Sequence, residues 1–378
     1  MKYRWPDILP SLELLLCPPG SGVHTVHSNR QRKMLLQEKM YGGKKAEEEY
    51  KKLWTESLKK IPLSSRCLLL GICSDNGGGI LRGANWGPLF IRQALLDSRD
   101  ELPYFDLGDV RVVPHLLEDR YLNQASIKQI QIALYGENPL GANLPVSPLS
   151  ITQKACQMIY ESFPSKGIMG LGGDHSVSYP LIKSWLKRCK DKKKKAAIIH
   201  FDAHTDLSKE RLGIDVCFGS WAYHILPELD SANCLVQLGI RSSMHNKEYW
   251  ESNLGVKQFW ANELEENPSK VANAVILHLK NLNIEEVYIT FDIDCLDITY
   301  AGATGTPEAG GPAPHAPMLI MQEIFENFDI TGADLVEVAP MTRGMEVVGI
   351  EPETTLMMAQ SFATFLIGAI SSPLKKAN

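Results

Sequence analysis

The chain has 378 residues, 44% hydrophobic and 22% charged, with a formal net charge of −5, the profile of a soluble enzyme and not of a nucleic-acid binder. No apolar run approaches the ~20 residues of a membrane span, and Leu12 to Cys17, which contains Glu13, is too short for a signal-peptide core, so no membrane association is expected. Eight cysteines at irregular positions, without a C-x-x-C pair, fit reduced thiols in a cytoplasmic protein better than a disulfide framework.

Residues 1–65 read as an N-terminal helical extension. After the loop Cys17 to Gly22, a helical stripe of Leu35, Leu36, Met40, Tyr50, Leu53, Trp54 and Leu58 is divided into two helices by Gly42-Gly43. The extension is expected to pack on the core or on a neighbouring subunit, or to share in covering the active site. Residues 66–378 form the main domain. A strand is expected at Cys67 to Cys73, then a flexible loop at Gly77-Gly78-Gly79, then a helix from Pro88 to Leu96, with proline at the favoured first position. A strand at Asp106 to Val113 and a loop at residues 135–149 follow. The next helix runs to Phe163, with Ser150 as its expected cap and Gln153 three residues on. Strands are expected up to Leu171, from Lys195 to Ile199, and at Cys234 to Ile240, Gln258 to Trp260, Glu286 to Asp292 and Asp334 to Val338. Helices at Pro180 to Cys189, Ser220 to Leu226 and Glu351 to Ile370 lie among them. This alternation predicts a three-layer α/β/α fold around a mostly parallel sheet.

Three of the strands end in chemistry. Ile168-Met169-Gly170-Leu171 runs into Gly172-Gly173-Asp174-His175-Ser176. Ala196-Ala197-Ile198-Ile199 runs into His200-Phe201-Asp202-Ala203-His204-Thr205-Asp206. Val287 to Phe291 runs into Asp292-Ile293-Asp294. Open α/β sheets place their sites at such carboxyl ends. Asp202, His204 and Asp206 alternate, so an extended backbone puts them on one face. Ionisable groups crowded on a buried face call for a divalent metal, and carboxylate with neutral imidazole suits Mn, Fe, Zn or Ni. His175, Asp202, His204, Asp206, Asp292 and Asp294 are too many ligands for one ion and about right for two. A lone D-x-D or a lone His is usually structural, but three clusters in register are not. His200 shares a face with Asp202 and reads equally well as a packed core histidine, so it stays outside the ligand set.

Gly-Gly-Asp-His-Ser, Asp-Ala-His-Thr-Asp and Phe-Asp-Ile-Asp-Cys-Leu-Asp resemble the three signatures of the ureohydrolase (arginase and agmatinase) family. Arg82 to Pro88, Gln237 to Arg241, Thr304 to Gly311 and Asp334 to Val338 are similar to further family segments, and the likeness runs from about residue 66 to 372. The resemblance implies an arginase-like fold and hydrolysis of a C–N bond in a guanidino compound, giving urea and an amine or ammonia. It implies two divalent ions, manganese with nickel as the alternative. Asp202 and Asp292 would bridge them. His175 and Asp206 would complete one ion, and His204 and Asp294 the other. An activated hydroxide would attack the planar carbon, with Asp206 steering its proton. Glu337 would grip the guanidinium by charge-assisted hydrogen bonds. Asp174 and Asp297 read as structural. The family usually assembles as homotrimers or homohexamers.

One stretch departs from the pattern. Arginases and agmatinases usually carry His-Gly where this chain has Phe218-Gly219, and Phe cannot shuttle a proton. The shuttle is therefore missing, supplied by His224 a turn later, or unneeded, as in formimidoylglutamases. Lys209 and Arg211 suit a carboxylate tail, or are simply solvated. Phe218, Trp221 and Tyr223 suit a small pocket for free guanidine, the substrate of a nickel-using family branch with a long amino-terminal extension. The rival readings are a formimidoylglutamase-like amidine hydrolase, a metal-dependent deacetylase and a non-catalytic metal-binding member. The intact ligand set argues against the last, because unused clustered carboxylates cost stability.

Overall fold

The computed structural model describes residues 4–23, 27–76, 81–98, 101–340 and 352–372. The loop expected at Gly77-Gly78-Gly79 lies outside them, as does Glu351. In chain order the elements are α1 Leu9–Leu15, β1 Leu16–Cys17, α2 His27–Tyr41, α3 Glu47–Leu58, β2 Cys67–Gly71, α4 Gly87–Asp97, β3 Tyr104–Val110, α5 Gln124–Tyr135 and α6 Pro148–Ser162. Then come β4 Gly167–Leu171, α7 Ser178–Asp191, β5 Ala196–Phe201, α8 Trp221–Ile225, β6 Leu235–Ile240, α9 Lys247–Leu254, β7 Lys257–Trp260, α10 Ala261–Glu266 and α11 Pro268–Asn281. The last are β8 Glu286–Asp292, α12 His315–Asn327, β9 Asp329–Val336 and α13 Pro352–Ser371.

The strands form one sheet in the order β1-β3-β2-β4-β9-β8-β5-β6-β7. Only β1 runs antiparallel, against β3, among the described strands. Continuous apolar runs such as Ala196–Ile199 are what a strand covered on both faces requires. Two apolar clusters, one on each side of the sheet, bury them. The three-layer α/β/α expectation is met.

The sheet reaches into the amino-terminal segment. Leu12, Leu15, Leu16 and Trp54 are fully buried, and the Trp54 indole donates to the Leu107 carbonyl at 3.0 Å. Buried Arg92 pairs with Asp106 and Asp109, and Asp109 also accepts the Gly22 amide at 2.9 Å. Gly42 and Gly43 both take left-handed φ, and the helices break there as expected.

Two local expectations need correction. The α6 cap is Ser147, not Ser150, because Pro148 takes the first helical position and Ser150 instead accepts the Asp119 amide. The β9 strand starts at Asp329, earlier than expected, in register with Glu286 on β8. The stretch Thr354–Ser371 is long and apolar enough to span a membrane by length and composition, but Phe362, Leu366 and Ile370 are fully buried in the core. All eight cysteines are buried and free.

Candidate metal centre

The four central strands β4, β9, β8 and β5 are neighbours, and each delivers part of the site at its carboxyl end. His175 follows β4, Glu337 follows β9, Asp292 ends β8, and Asp202 to Asp206 follow β5. Gly173 makes this convergence possible: a Cβ there would lie 1.7 Å from the Ser74 carbonyl of the loop after β2.

The six residues singled out as ligands come together. His175 Nδ1 lies 3.1 Å from Asp202 Oδ2, 3.2 Å from Asp206 Oδ2 and 3.2 Å from Asp292 Oδ2. His204 Nδ1 lies 3.3 Å from Asp202 Oδ1 and 3.1 Å from Asp294 Oδ2. Asp202 therefore offers one oxygen to each half. Backbone amides fix the remaining lone pairs: His204 N–H donates to Asp202 Oδ1 (2.6 Å), Asp294 N–H to Asp292 Oδ1 (2.9 Å) and Ala203 N–H to Asp294 Oδ1 (3.1 Å).

The donor set fits a cation. His175 Nε2 lies 3.0 Å from Thr290 Oγ1, whose own proton goes to Asp334 Oδ1 at 2.6 Å, while the Tyr288 hydroxyl donates to Asp334 Oδ2 at 2.8 Å. In the neutral ring the proton therefore sits on Nε2, and Nδ1 turns a lone pair towards three carboxylate oxygens. Nδ1 is a buried nitrogen without a hydrogen-bond partner. Its short distances to those oxygens are close approaches of like-polarity groups, which a positive ion between them would relieve. The electrostatics agree. Burial pulls the His175 pKa down, but Asp202, Asp206 and Asp292 outweigh it and raise it well above the usual value. Burial likewise lowers His204, and Asp294 and Asp202 reverse it. Asp292 is pushed well up by burial and by the Asp294 and Asp202 carboxylates. Groups that hold protons this tightly for want of positive charge are suited to divalent ions.

His200 also stands within ligand distance of this cluster. Both its nitrogens are engaged, however, by Asp202 at 2.7 Å and Gln237 at 2.9 Å, so it has no lone pair to offer an ion.

A cavity of about 620 Å³ opens over the cluster. Glu337 lines it from a left-handed backbone (φ 62°), and Asp206 does so likewise (φ 52°), conformations a side-chain-bearing residue adopts at a cost. Glu337 Oε1 accepts the His175 amide at 2.9 Å. Gly305 leaves room for Oε2, since a Cβ there would come within 2.7 Å of it. Burial, then Asp292 and Asp174, hold the Glu337 carboxyl well above the usual range, so a neighbouring cation would favour its charged form.

A model of the arginase family matches residues 65–367. The chain belongs to the arginase family. It is 31% identical over 278 residues to the agmatinase of Bacillus subtilis (strain 168), covering 72% of this chain and 83% of that one. It is 28% identical over 284 residues to the mitochondrial guanidino acid hydrolase of Homo sapiens, covering 72% and 70%. The structure of proclavaminate amidino hydrolase from Streptomyces clavuligerus superposes with a TM-score of 0.61 at 21% identity, over 82% of this chain and 92% of that one. A hypothetical agmatinase from Burkholderia thailandensis does so with a TM-score of 0.56 at 26% identity, over 79% and 83%. Members of the family are hydrolases acting on amidino C–N bonds, and this chain is one of them.

The remaining singled-out residues divide around the family's site. Lys209, Arg211 and Phe218 line the cavity, the Arg211 guanidinium lying 4.9 Å from the Phe218 ring centroid. Trp221 lies behind the His/Asp cluster instead: it is fully buried, its ring 4.8 Å from that of His175, and its indole donates to Asp206 Oδ2 at 2.7 Å. His224 is turned to the Lys209 carbonyl, 2.8 Å away, and is not part of the cavity wall. Asp297 caps a turn, accepting amides from Thr299, Gly310 and Gly311. Sequence reasoning missed Thr290, Asp334 and Tyr288 behind His175. It also missed Glu308, whose Oε1 lies 3.2 Å from His204 Nε2. Their signal was weak: polar residues in a strand, and one Glu in a glycine-rich loop.

Proposed function

We propose that this enzyme hydrolyses a guanidino acid to urea and an amino acid, using two divalent ions held by His175, Asp202, His204, Asp206, Asp292 and Asp294. The observation that carries the proposal is the lone pair of His175 Nδ1 facing three carboxylates in the cavity that Glu337 also lines. Asp202 and Asp292 would be shared between the ions, His175 and Asp206 serving one, His204 and Asp294 the other. The ions, manganese or alternatively nickel, supply the Lewis acidity that makes a nucleophilic hydroxide available near neutral pH.

The chain's own residues do the rest. Glu337 Oε2 takes the guanidinium, and this cation supplies the positive charge its raised pKa calls for. Asp206, steadied by the Trp221 indole, accepts the proton of the attacking group and passes it towards the leaving nitrogen. Phe218 replaces the family's His at the mouth, so no side chain shuttles protons there unless His224 turns inward from the Lys209 carbonyl. Lys209 and Arg211 on the cavity wall favour an anionic tail, and the likeness to a guanidino acid hydrolase supports the same choice. Residues 1–65 act as an extension of the 66–378 catalytic domain, and among the described residues none of them lines the cavity. The same proposal takes the enzyme to be cytoplasmic and a homotrimer or homohexamer.

The test is urea release by the purified chain, loaded separately with manganese and nickel, against 3-guanidinopropionate, 4-guanidinobutyrate, arginine, agmatine and guanidine. Preference for a guanidino acid is expected. Preference for agmatine would remove Lys209 and Arg211 from substrate binding, and preference for guanidine would give that pocket to Phe218.

A further inference from the structure

His200 makes a direct hydrogen bond to the carboxylate that serves both halves of the cluster. Its Nε2 lies 2.7 Å from Asp202 Oδ2, and the ring is fully buried. Behind it runs a row of polar side chains across three neighbouring strands. His200 on β5 is in register with Gln237 on β6, and Gln237 with Gln258 on β7. Gln237 Nε2 lies 2.9 Å from His200 Nδ1, Gln258 Nε2 donates to Gln237 Oε1 at 2.8 Å, and the Trp260 indole donates to Gln258 Oε1 at 3.0 Å. Gln237 and Gln258 are fully buried, Gln237 within the otherwise apolar β6.

The row has one direction. An indole N–H can only donate, so Gln258 must turn its carbonyl to Trp260 and its amide nitrogen to Gln237. A backbone carbonyl can only accept, and the Thr205 carbonyl lies 2.6 Å from Gln237 Nε2, which fixes Gln237 independently in the same sense. Both ends of the row therefore agree. Gln237 donates to His200 Nδ1, the ring's own proton sits on Nε2, and that proton points at Asp202. The tautomer of a histidine is set by the bond its other nitrogen makes, and here a chain of donors starting at the sheet edge sets it.

We propose that His200 is a positioning residue for the metal centre, held by the Gln237–Gln258–Trp260 row as an Nε2–H donor that orients the Asp202 carboxylate. The inference rests on Asp202 being a ligand shared by two ions. It differs from the brace on His175, which ends in an acceptor, Asp334, and so leaves a bare nitrogen facing the ions. The row behind His200 ends in a donor and so presents a proton. The two histidines sit with ring centroids 5.0 Å apart, yet their opposite supports assign them opposite parts, one a ligand and one a donor to a ligand.

The experiment is titration of the full-length chain with manganese and with zinc in competition with a chromophoric chelator. It is accompanied by nitrogen-15 imidazole spectra of the zinc-loaded protein, the His200 signal being assigned by its loss in His200→Gln. The wild-type chain should bind two ions and show His200 protonated at Nε2 only. His200→Leu should weaken binding of both ions by about 10- to 100-fold, the usual effect of removing a partner that orients a ligand. His200→Gln, which keeps a donor near the Nε2 position, should recover most of that loss. Gln237→Glu, nearly isosteric, puts an acceptor against Nδ1. It should draw a proton onto Nδ1 and weaken metal binding without altering the cavity wall. Wild-type affinity in both His200→Leu and Gln237→Glu, with two ions still bound by the parent, would reduce the row to core packing. A parent ring protonated at Nδ1 overturns the inference without recourse to any variant, even if His200→Leu does not fold. A parent that binds no divalent ion overturns the metal reading first, and this inference with it.

Discussion

The two halves of the metal centre use the same chemistry on different supports. In each, an imidazole turns Nδ1 to the carboxylates and ties Nε2 to an acceptor. His175 is fully buried, and its brace, Thr290 and Asp334, comes from the middle of β8 and β9. The His204 side chain is 25% exposed, and its brace, Glu308, is 31% exposed on the loop after Asp294. That loop is held from the sheet by Arg241, which donates to the carbonyls of Asp294, Cys295, Leu296, Glu308 and Ala309. A ligand braced within a sheet is fixed before the ion arrives, whereas one braced by a loop is fixed only as well as the loop. The His175 ion should accordingly be the tighter and slower to exchange, and the His204 ion the first lost to a chelator.

The change that removes the comparison altogether is Asp202→Asn. Asp202 serves both halves, so activity should vanish and bound metal should fall from two ions per chain to one or none; near-normal turnover with two ions bound would end the shared-ligand reading. Glu337→Gln should instead leave both halves intact. Losing one partner of a buried charge pair costs about 2–5 kcal/mol, roughly 30- to 5,000-fold in kcat/KM. Unchanged kinetics would take Glu337 out of the site. Thr290→Val acts on the inner half alone. It strips His175 Nε2 of its acceptor and Asp334 of a donor, and should weaken the tighter ion by about 10- to 100-fold. If the looser ion weakens instead, the assignment of inner and outer is reversed.

Acid should also bear on both halves, with a definite sign. The surrounding carboxylates raise the pKa values of His175 and His204, and burial with the neighbouring carboxylates raises that of Asp292. These groups therefore hold their protons to higher pH than free histidine and aspartate do. An entering cation must displace them, so affinity should rise with pH and fall on acidification. Calorimetry in buffers of different ionisation enthalpy should show net proton release, and none at all would contradict the crowding seen around His175 Nδ1.

The convergence of the six candidate ligands was legible because each lies at or just after the end of a strand that local pattern alone identifies, and because Asp202, His204 and Asp206 lie within five residues of one another. The braces were not legible. Thr290 and Asp334 meet only through the pairing of β8 with β9, across 44 residues of chain. Gln237 looks like an interruption of an apolar strand, and Gln258 like one more polar residue after Lys257, until the register places them in one row. The amino-terminal segment hid its role for the same reason: β1 is two residues long, and its partner Val110 is remote in sequence. Nor does composition announce the left-handed backbone of Asp206 and Glu337. Local chemistry, in short, reads along the chain, and the support behind it reads only across the sheet.

The mildest test falls on the weaker brace. Glu308→Gln keeps an oxygen within reach of His204 Nε2 but removes its charge, so the ring loses a charge-assisted partner and keeps a neutral one. Because both groups are partly exposed, water screens much of the difference, and exposed pairs of this kind contribute about 0–1 kcal/mol. The outer ion should therefore weaken by no more than about fivefold, within the range that energy allows, while the inner ion and the melting temperature stay as they were. Chelator kinetics on the two-ion protein reads both at once, as a faster first phase and an unchanged second. A loss as large as that expected for Thr290→Val would mean that the loop holds His204 as firmly as the sheet holds His175. The contrast between the two halves would then lie in exposure alone.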